Sequence, residues 1–274
     1  MGPVIGPETL VMALGIGVVA GVVGGLAGIG GSIIMLPALA ILVGDDAQRD
    51  TQQHLFQASA MLVNVVVAWS SSRRHQEAGV HDPGLRRSLL PGLVAGIVIG
   101  VLISEQLRGR WLQVGLVTFL WLYCLYNVFT VAWAGVRRKP ASADAAETTP
   151  PSWRIAAIGS VTGVPSGILG IGGGIVMVPL MQMWGGVGIR RAIAASASVM
   201  WISAGIGALL KMYGLSSHGE SWLDALAIAG PMALGAFAGS RAGAGLTHKL
   251  KLPHLKLVIS GVLAVAGLRL VGVI

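Results

Sequence analysis

The sequence has a single cysteine, few aromatic residues (5%) and few charged ones (11%), and its 11 acidic residues are outnumbered by 19 basic ones. Each shortage excludes something. One thiol, Cys124, set inside an apolar run, can build neither a disulfide framework nor a Cys-based metal cluster within one chain. With 54% hydrophobic residues and a mean hydropathy of +0.77, so little charge excludes an ordinary water-soluble globule of 274 residues. The net charge of +8 comes without the basic clustering and aromatic platforms of a nucleic-acid-binding domain, so no nucleic-acid partner is expected. Residues 88–104 and 114–135 show none of the alternation of barrel strands and are apolar on every face, which leaves helices. The first residues lack the basic start and small-residue cleavage site of a signal peptide and read as the start of the first span.

What is present is membrane-spanning material. At roughly 20 apolar residues per crossing, the apolar segments suffice for about eight to ten crossings. The chain also repeats itself. Residues 24–37, GGLAGIGGSIIMLP, align with residues 166–179, SGILGIGGGIVMVP, at a constant offset of 142 with 8 of 14 positions identical. A weaker match at an offset of 140 sets Pro91 over Pro231. Five apolar segments are expected in each half: 9–28, 32–43, 55–71, 88–106 and 111–135, then 153–170, 175–185, 191–211, 222–246 and 254–273. The second of each set, 11 or 12 residues long, is too short to cross upright and is expected to be short or re-entrant. Each half then makes an odd number of net crossings, so the halves are inverted.

The predicted organisation is an all-α polytopic membrane protein. Residues 1–135 form a first inverted repeat, 136–152 a Pro- and Ala-rich cytoplasmic linker, and 153–274 a second repeat, with short or broken helices at the Gly-rich motifs. Thirteen of the 19 basic residues fall on one side, five on the other, and Arg241 lies inside a span. By the positive-inside rule this sets the basic loops in the cytoplasm and both termini outside a bacterial cell membrane.

Glycines recurring every fourth residue (Gly17, Gly21, Gly25; Gly92, Gly96, Gly100; Gly235, Gly239, Gly243) read as ridges for close helix packing. Gly28, Gly30 and Gly31, and Gly170, Gly172, Gly173 and Gly174, do not fit that pattern, because adjacent glycines break a helix. Unwound backbone at membrane depth survives only where protein buries it or water lines it. A break followed by a short helix leaves unpaired N–H groups at a positive dipole end, at Ser32 and at Gly174, and that arrangement suits an anion. A purely structural turn is the alternative, and a nucleotide fingerprint is a weak third, since no βαβ unit surrounds the glycines.

The acidic residues, Glu105 included, all fall in loops or near segment ends, which favours an anionic or neutral substrate over a cation. No metal site, cofactor or catalytic constellation is expected. His54, Gln57, Met61 and Asn64 share one helical face that either lines the path or bonds between helices, and Ser196 and Ser203 are polar at corresponding positions. Arg241 either snorkels to the interface or faces the cavity. Lipid and a small anion are the expected partners, and a homo-oligomer is compatible with the sequence.

These residues resemble a known family. The doubled G-x-x-G-I-G-G-(G/S)-x-x-x-x-P pattern, one copy per half, is similar to that of the TauE/SafE sulfite exporters, and the resemblance covers almost the whole chain. It places the family's motif on Gly25, Gly28, Gly30, Gly31 and Pro37, and on Gly167, Gly170, Gly172, Gly173, Gly174 and Pro179. It implies export of sulfite or small organosulfur anions such as sulfoacetate by an inverted-repeat secondary carrier. Ser32 replaces the glycine found at 174 in the second copy. The small run 194–198, AASAS, has the bulkier 53–57, QHLFQ, as its counterpart. Uptake of a small anion, or a non-transporting membrane scaffold, are the alternatives.

Overall fold

The computed structural model describes residues 7–28, 30–42, 49–80, 82–136 and 150–246. Residues 137–149 of the expected linker and the tenth expected segment, 254–273, lie outside the described residues. Nine α-helices run in order among those described: α1 (Pro7–Ala27), α2 (Ser32–Leu42), α3 (Arg49–Glu77), α4 (Pro83–Glu105), α5 (Gly109–Val136), α6 (Ser152–Leu169), α7 (Gly174–Met183), α8 (Ile189–Gly214) and α9 (Trp222–Leu246). A short 3-10 turn, Leu215–His218, follows α8. They match the expected segments, with α3 extended at both ends by polar residues that form helix readily but that an apolarity criterion leaves out.

Among the described residues, four stretches, 52–77, 83–105, 189–218 and 222–246, are long and apolar enough to cross a membrane. At 1.5 Å per residue, the 11 residues of α2 and the 10 of α7 reach only about half of a 30 Å hydrocarbon core. Large apolar side chains turn outward on several helices, such as Val11 (72% exposed) and Leu125 (67%), which suits lipid and would be a liability in water.

Two tight helix pairs join the first half of the chain to the second: α1 lies along α9, and α4 along α6. The glycine ridges make both possible. A Cβ on Gly17, Gly21 or Gly25 would fall within 3 Å of the backbone of Met232, Ala236 or Ser240, and one on Gly92, Gly96 or Gly100 equally close to that of α6. Exchanging the halves carries the α1–α9 pair onto α6–α4 and α3–α9 onto α8–α4, with α3–α8 mapping onto itself. A Cβ on Gly163 would stand 2.6 Å from the Leu93 carbonyl oxygen and 2.9 Å from the Gly96 Cα, both main chain that cannot step aside. Gly163→Val should therefore cost about 1–3 kcal/mol, seen as a lower Tm in detergent. Gly15→Val, with nothing within 4 Å, should leave Tm in place.

Helices α4 and α8 are bolted together at both ends, Asp82 to Arg191 and Glu105 to Lys211. About 20 helical residues separate the two ion pairs, a rise of about 30 Å, the thickness of the hydrocarbon core. Asp82 also caps α4, accepting a hydrogen bond from the Leu85 N–H at 3.0 Å, with Pro83 in the first turn where its missing N–H is harmless. Burial pushes the Asp82 carboxyl up, but the Leu85 N–H and the Arg191 guanidinium outweigh it and hold the group below the usual carboxylate range. A depressed native value adds stability above the unfolded value, and that stability is lost as pH falls through the native one. Tm should fall below about pH 4, the ordinary carboxylate range, and Arg191→Gln should shrink that acid-sensitive part.

Candidate functional site

The break between α1 and α2 and the break between α6 and α7 are built by glycines in the left-handed region. Gly28 and Gly30 have φ of 64° and 80°, and Gly170, Gly172 and Gly173 have 72°, 81° and 88°. A side chain resists these angles, so the motif's glycines are required by the turn itself. Gly31 and Gly174 have ordinary φ; Gly174 opens α7.

Both breaks close on one side chain. Asn64 Oδ1 accepts hydrogen bonds from the Gly31 N–H (2.8 Å) and the Ser32 N–H (3.3 Å), capping α2 from a different helix. Its Nδ2 donates to Ser32 Oγ and reaches the Ile171 carbonyl in the other break at 3.5 Å. A Cβ on Gly172 would be 2.6 Å from Asn64 Nδ2 and one on Gly30 3.1 Å from its Oδ1, and Met200 packs against both. Ser196 Oγ donates to the Gly28 carbonyl at 3.0 Å. The chain thus brings together Gly28, Gly30, Gly31, Ser32, Asn64, Ser196 and the second glycine cluster, Gly170 to Gly174.

The two short helices differ at their starts. Asn64 occupies the first N–H groups of α2, whereas among the described residues no protein group accepts from the Gly174 or Ile175 N–H, and Gly173 offers no capping side chain. Beside them lies Ser166, fully buried, its Oγ without a hydrogen-bond partner and 3.0 Å from where a Gly173 Cβ would stand. Orphaned buried donors cost about 1–3 kcal/mol each, so an unpartnered hydroxyl beside Gly173 and the uncapped N–H groups of the helix that Gly173 precedes fit an acceptor that carries negative charge. Ser166 is missed by spacing arguments because its counterpart in the first half is Gly24; the signal lay in that difference.

The other expected site residues go elsewhere. Gln57 Nε2 donates to the Ile168 carbonyl at 3.2 Å, and its side chain packs against Gly170, so it touches the second break from behind. Ser203 bonds within its own helix. Arg241 is half exposed, 4.0 Å from Glu77, and does not meet the breaks. His54 sits in a cluster not visible in the sequence: Lys211, fully buried, lies 2.9 Å from Glu105 Oε1, 2.6 Å from Ser104 Oγ and 3.3 Å from His54 Nδ1. His218 Nε2 lies 3.1 Å from Glu105 Oε2, and its ring stacks on His54 at 3.7 Å. The ligand atoms of His54, Glu105 and His218 lie within 4.8 Å of one another, but the Lys211 ammonium already stands where a metal cation would and parallel stacked rings cannot both point at one ion.

Comparison with known proteins agrees with this architecture. A family profile described as "Sulfite exporter TauE/SafE" matches residues 13–270. "Probable membrane transporter protein MamO" of Magnetospirillum gryphiswaldense is 27% identical over 98% of this chain, which spans only 46% of that longer protein. "Probable membrane transporter protein YunE" of Bacillus subtilis is 26% identical over 96% of this chain and 97% of its own. A third, of Methanocaldococcus jannaschii, bears the same description and is 26% identical over 92% of each. No solved structure matches the chain. The doubled glycine motif, the paired helix breaks it builds and the extent of the profile match converge on one assignment: this multi-pass membrane protein belongs to the TauE/SafE sulfite exporter family.

Proposed function

We propose that the chain is a secondary carrier that exports a small oxyanion, sulfite or an organosulfonate, across the cytoplasmic membrane by alternating access in an inverted-repeat fold. The observation that carries this reading is the start of α7, where the Gly174 and Ile175 N–H groups meet no protein acceptor among the described residues and the buried, unpartnered Ser166 hydroxyl stands 3.0 Å from where a Gly173 Cβ would be. A helix end at membrane depth stabilises negative charge, and water-poor surroundings strengthen the effect. The interlocked pairs α1–α9 and α4–α6 each take one helix from either half, so the units that move as wholes are these mixed pairs and not the sequence halves themselves, because glycine-mediated backbone contact resists internal deformation. No catalytic step is needed. An inside-negative potential favours outward movement of an anion by about 2.3 kcal/mol per charge per 100 mV.

Reconstitution into liposomes tests this. Down an imposed concentration gradient, sulfite or a sulfonate should move, while an equal concentration of a monovalent cation should not. Retention of every anion in a panel of sulfite, sulfonates and carboxylates would remove the reading. Flux only inward under all gradients would reverse its direction.

A further inference from the structure

We propose that His218 and Glu105, held against Lys211 and His54, form a proton-binding site whose loading favours binding of the anion; this rests on the anion reading above. The four titratable groups that face one another come from four elements: His54 on α3, Glu105 on α4, Lys211 on α8 and His218 on the 3-10 turn. Two elements belong to each half. Gly214 leaves the room the carboxylate needs, since a Cβ there would overlap Glu105.

The hydrogen bonds decide where a proton can go. His54 Nε2 faces the Leu107 carbonyl at 3.2 Å and must donate to it. His54 Nδ1 is then a lone pair that accepts from the Lys211 ammonium, so a proton there would have to displace Lys211. His54 is therefore held neutral. His218 has no such block: its Nε2 donates to Glu105 Oε2, its side chain is 19% exposed, and no described protein group occupies its Nδ1. The imidazolium that a proton there creates shares the carboxylate that balances Lys211. One uncompensated positive charge then remains in a buried cluster, where it is costly until an anion arrives.

A polar thread links that cluster to the anion site. Lys211 donates to Ser104 Oγ, Ser104 Oγ to Gln57 Oε1 at 3.4 Å, and Gln57 Nε2 to the Ile168 carbonyl, two residues before the Gly170 break. All three side chains are fully buried. Proton and anion thus favour each other, and the favour is reciprocal.

Methanesulfonate, whose charge is permanent, is the probe. Calorimetric titration of the purified wild-type protein in two buffers of different ionisation heat counts protons taken up per anion bound. That count should be above zero, with affinity rising as pH falls, by up to about tenfold per unit. His218→Gln, which keeps an N–H for Glu105, should bring the count to zero and make binding independent of pH. His218→Asn, which also removes the titrating ring and keeps an amide N–H, gives the same reading if the first variant fails to fold. Binding without proton uptake by the wild type, or undiminished uptake by the variants, would overturn this proposal and leave the anion site standing. No binding of methanesulfonate or sulfite would overturn both.

Discussion

Gly172→Ala should lower anion flux in liposomes at least about tenfold while leaving the amount of protein in the membrane unchanged, because a loss of about 1.4 kcal/mol already corresponds to that factor. Two effects combine at this position. Its φ of 81° costs an L side chain of order 1–3 kcal/mol, and the new methyl would stand 2.6 Å from Asn64 Nδ2, pushing aside the amide that holds both breaks. Gly79→Ala separates the two, since Gly79 has a φ of 75° but nothing within 4 Å of its Cβ position. It carries the backbone strain alone, outside the breaks, and should transport normally. Equal flux in the two variants would show that the second break is not where the anion passes.

The second large effect is expected at Asn64. Asn64→Leu fills a similar volume but removes the acceptor for the Gly31 and Ser32 N–H groups and the donor to Ser32 Oγ and the Ile171 carbonyl. Buried groups left unpaired cost about 1–3 kcal/mol each, so the variant should lose about 3 kcal/mol or more, read as a large fall in Tm or in folded yield. Asn64→Asp is the sharper probe. Its carboxylate still accepts from the two α2 N–H groups and should preserve much of the fold, but it puts a negative charge against the second break. Anion flux should then fall far more than stability. A folded Asn64→Asp protein that carries sulfite at the wild-type rate would place the anion elsewhere.

Much of the helical framework was legible because membrane helices obey a strong constraint: every backbone group must be satisfied internally, so apolar run length reports directly on span length. The short α2 and α7 and the breaks before them followed from the same constraint applied to consecutive glycines. The ends of α3 did not, since residues 49–54 and 72–77 are polar and helical at once. Spacing along one helix showed that His54, Gln57 and Asn64 share a face. It could not show that a single helix face serves two different networks, Asn64 at the breaks and His54 with Lys211. Lys211 and Glu105 read as helix-end charges, as basic and acidic residues there usually are, and only the side-by-side packing of α4 and α8 buries one against the other.

Sequence alone determined that this chain lies in a membrane, that it contains two copies of one plan and that each copy is interrupted where glycines cluster, because these properties depend on composition and on local backbone freedom. Tertiary structure decided that the two interruptions meet at Asn64, that α2 is capped while the start of α7 and Ser166 are left open, and that a lysine is buried against Glu105 and two histidines. Those outcomes depend on which helices touch, and contact between residues more than a hundred positions apart leaves no trace in local spacing.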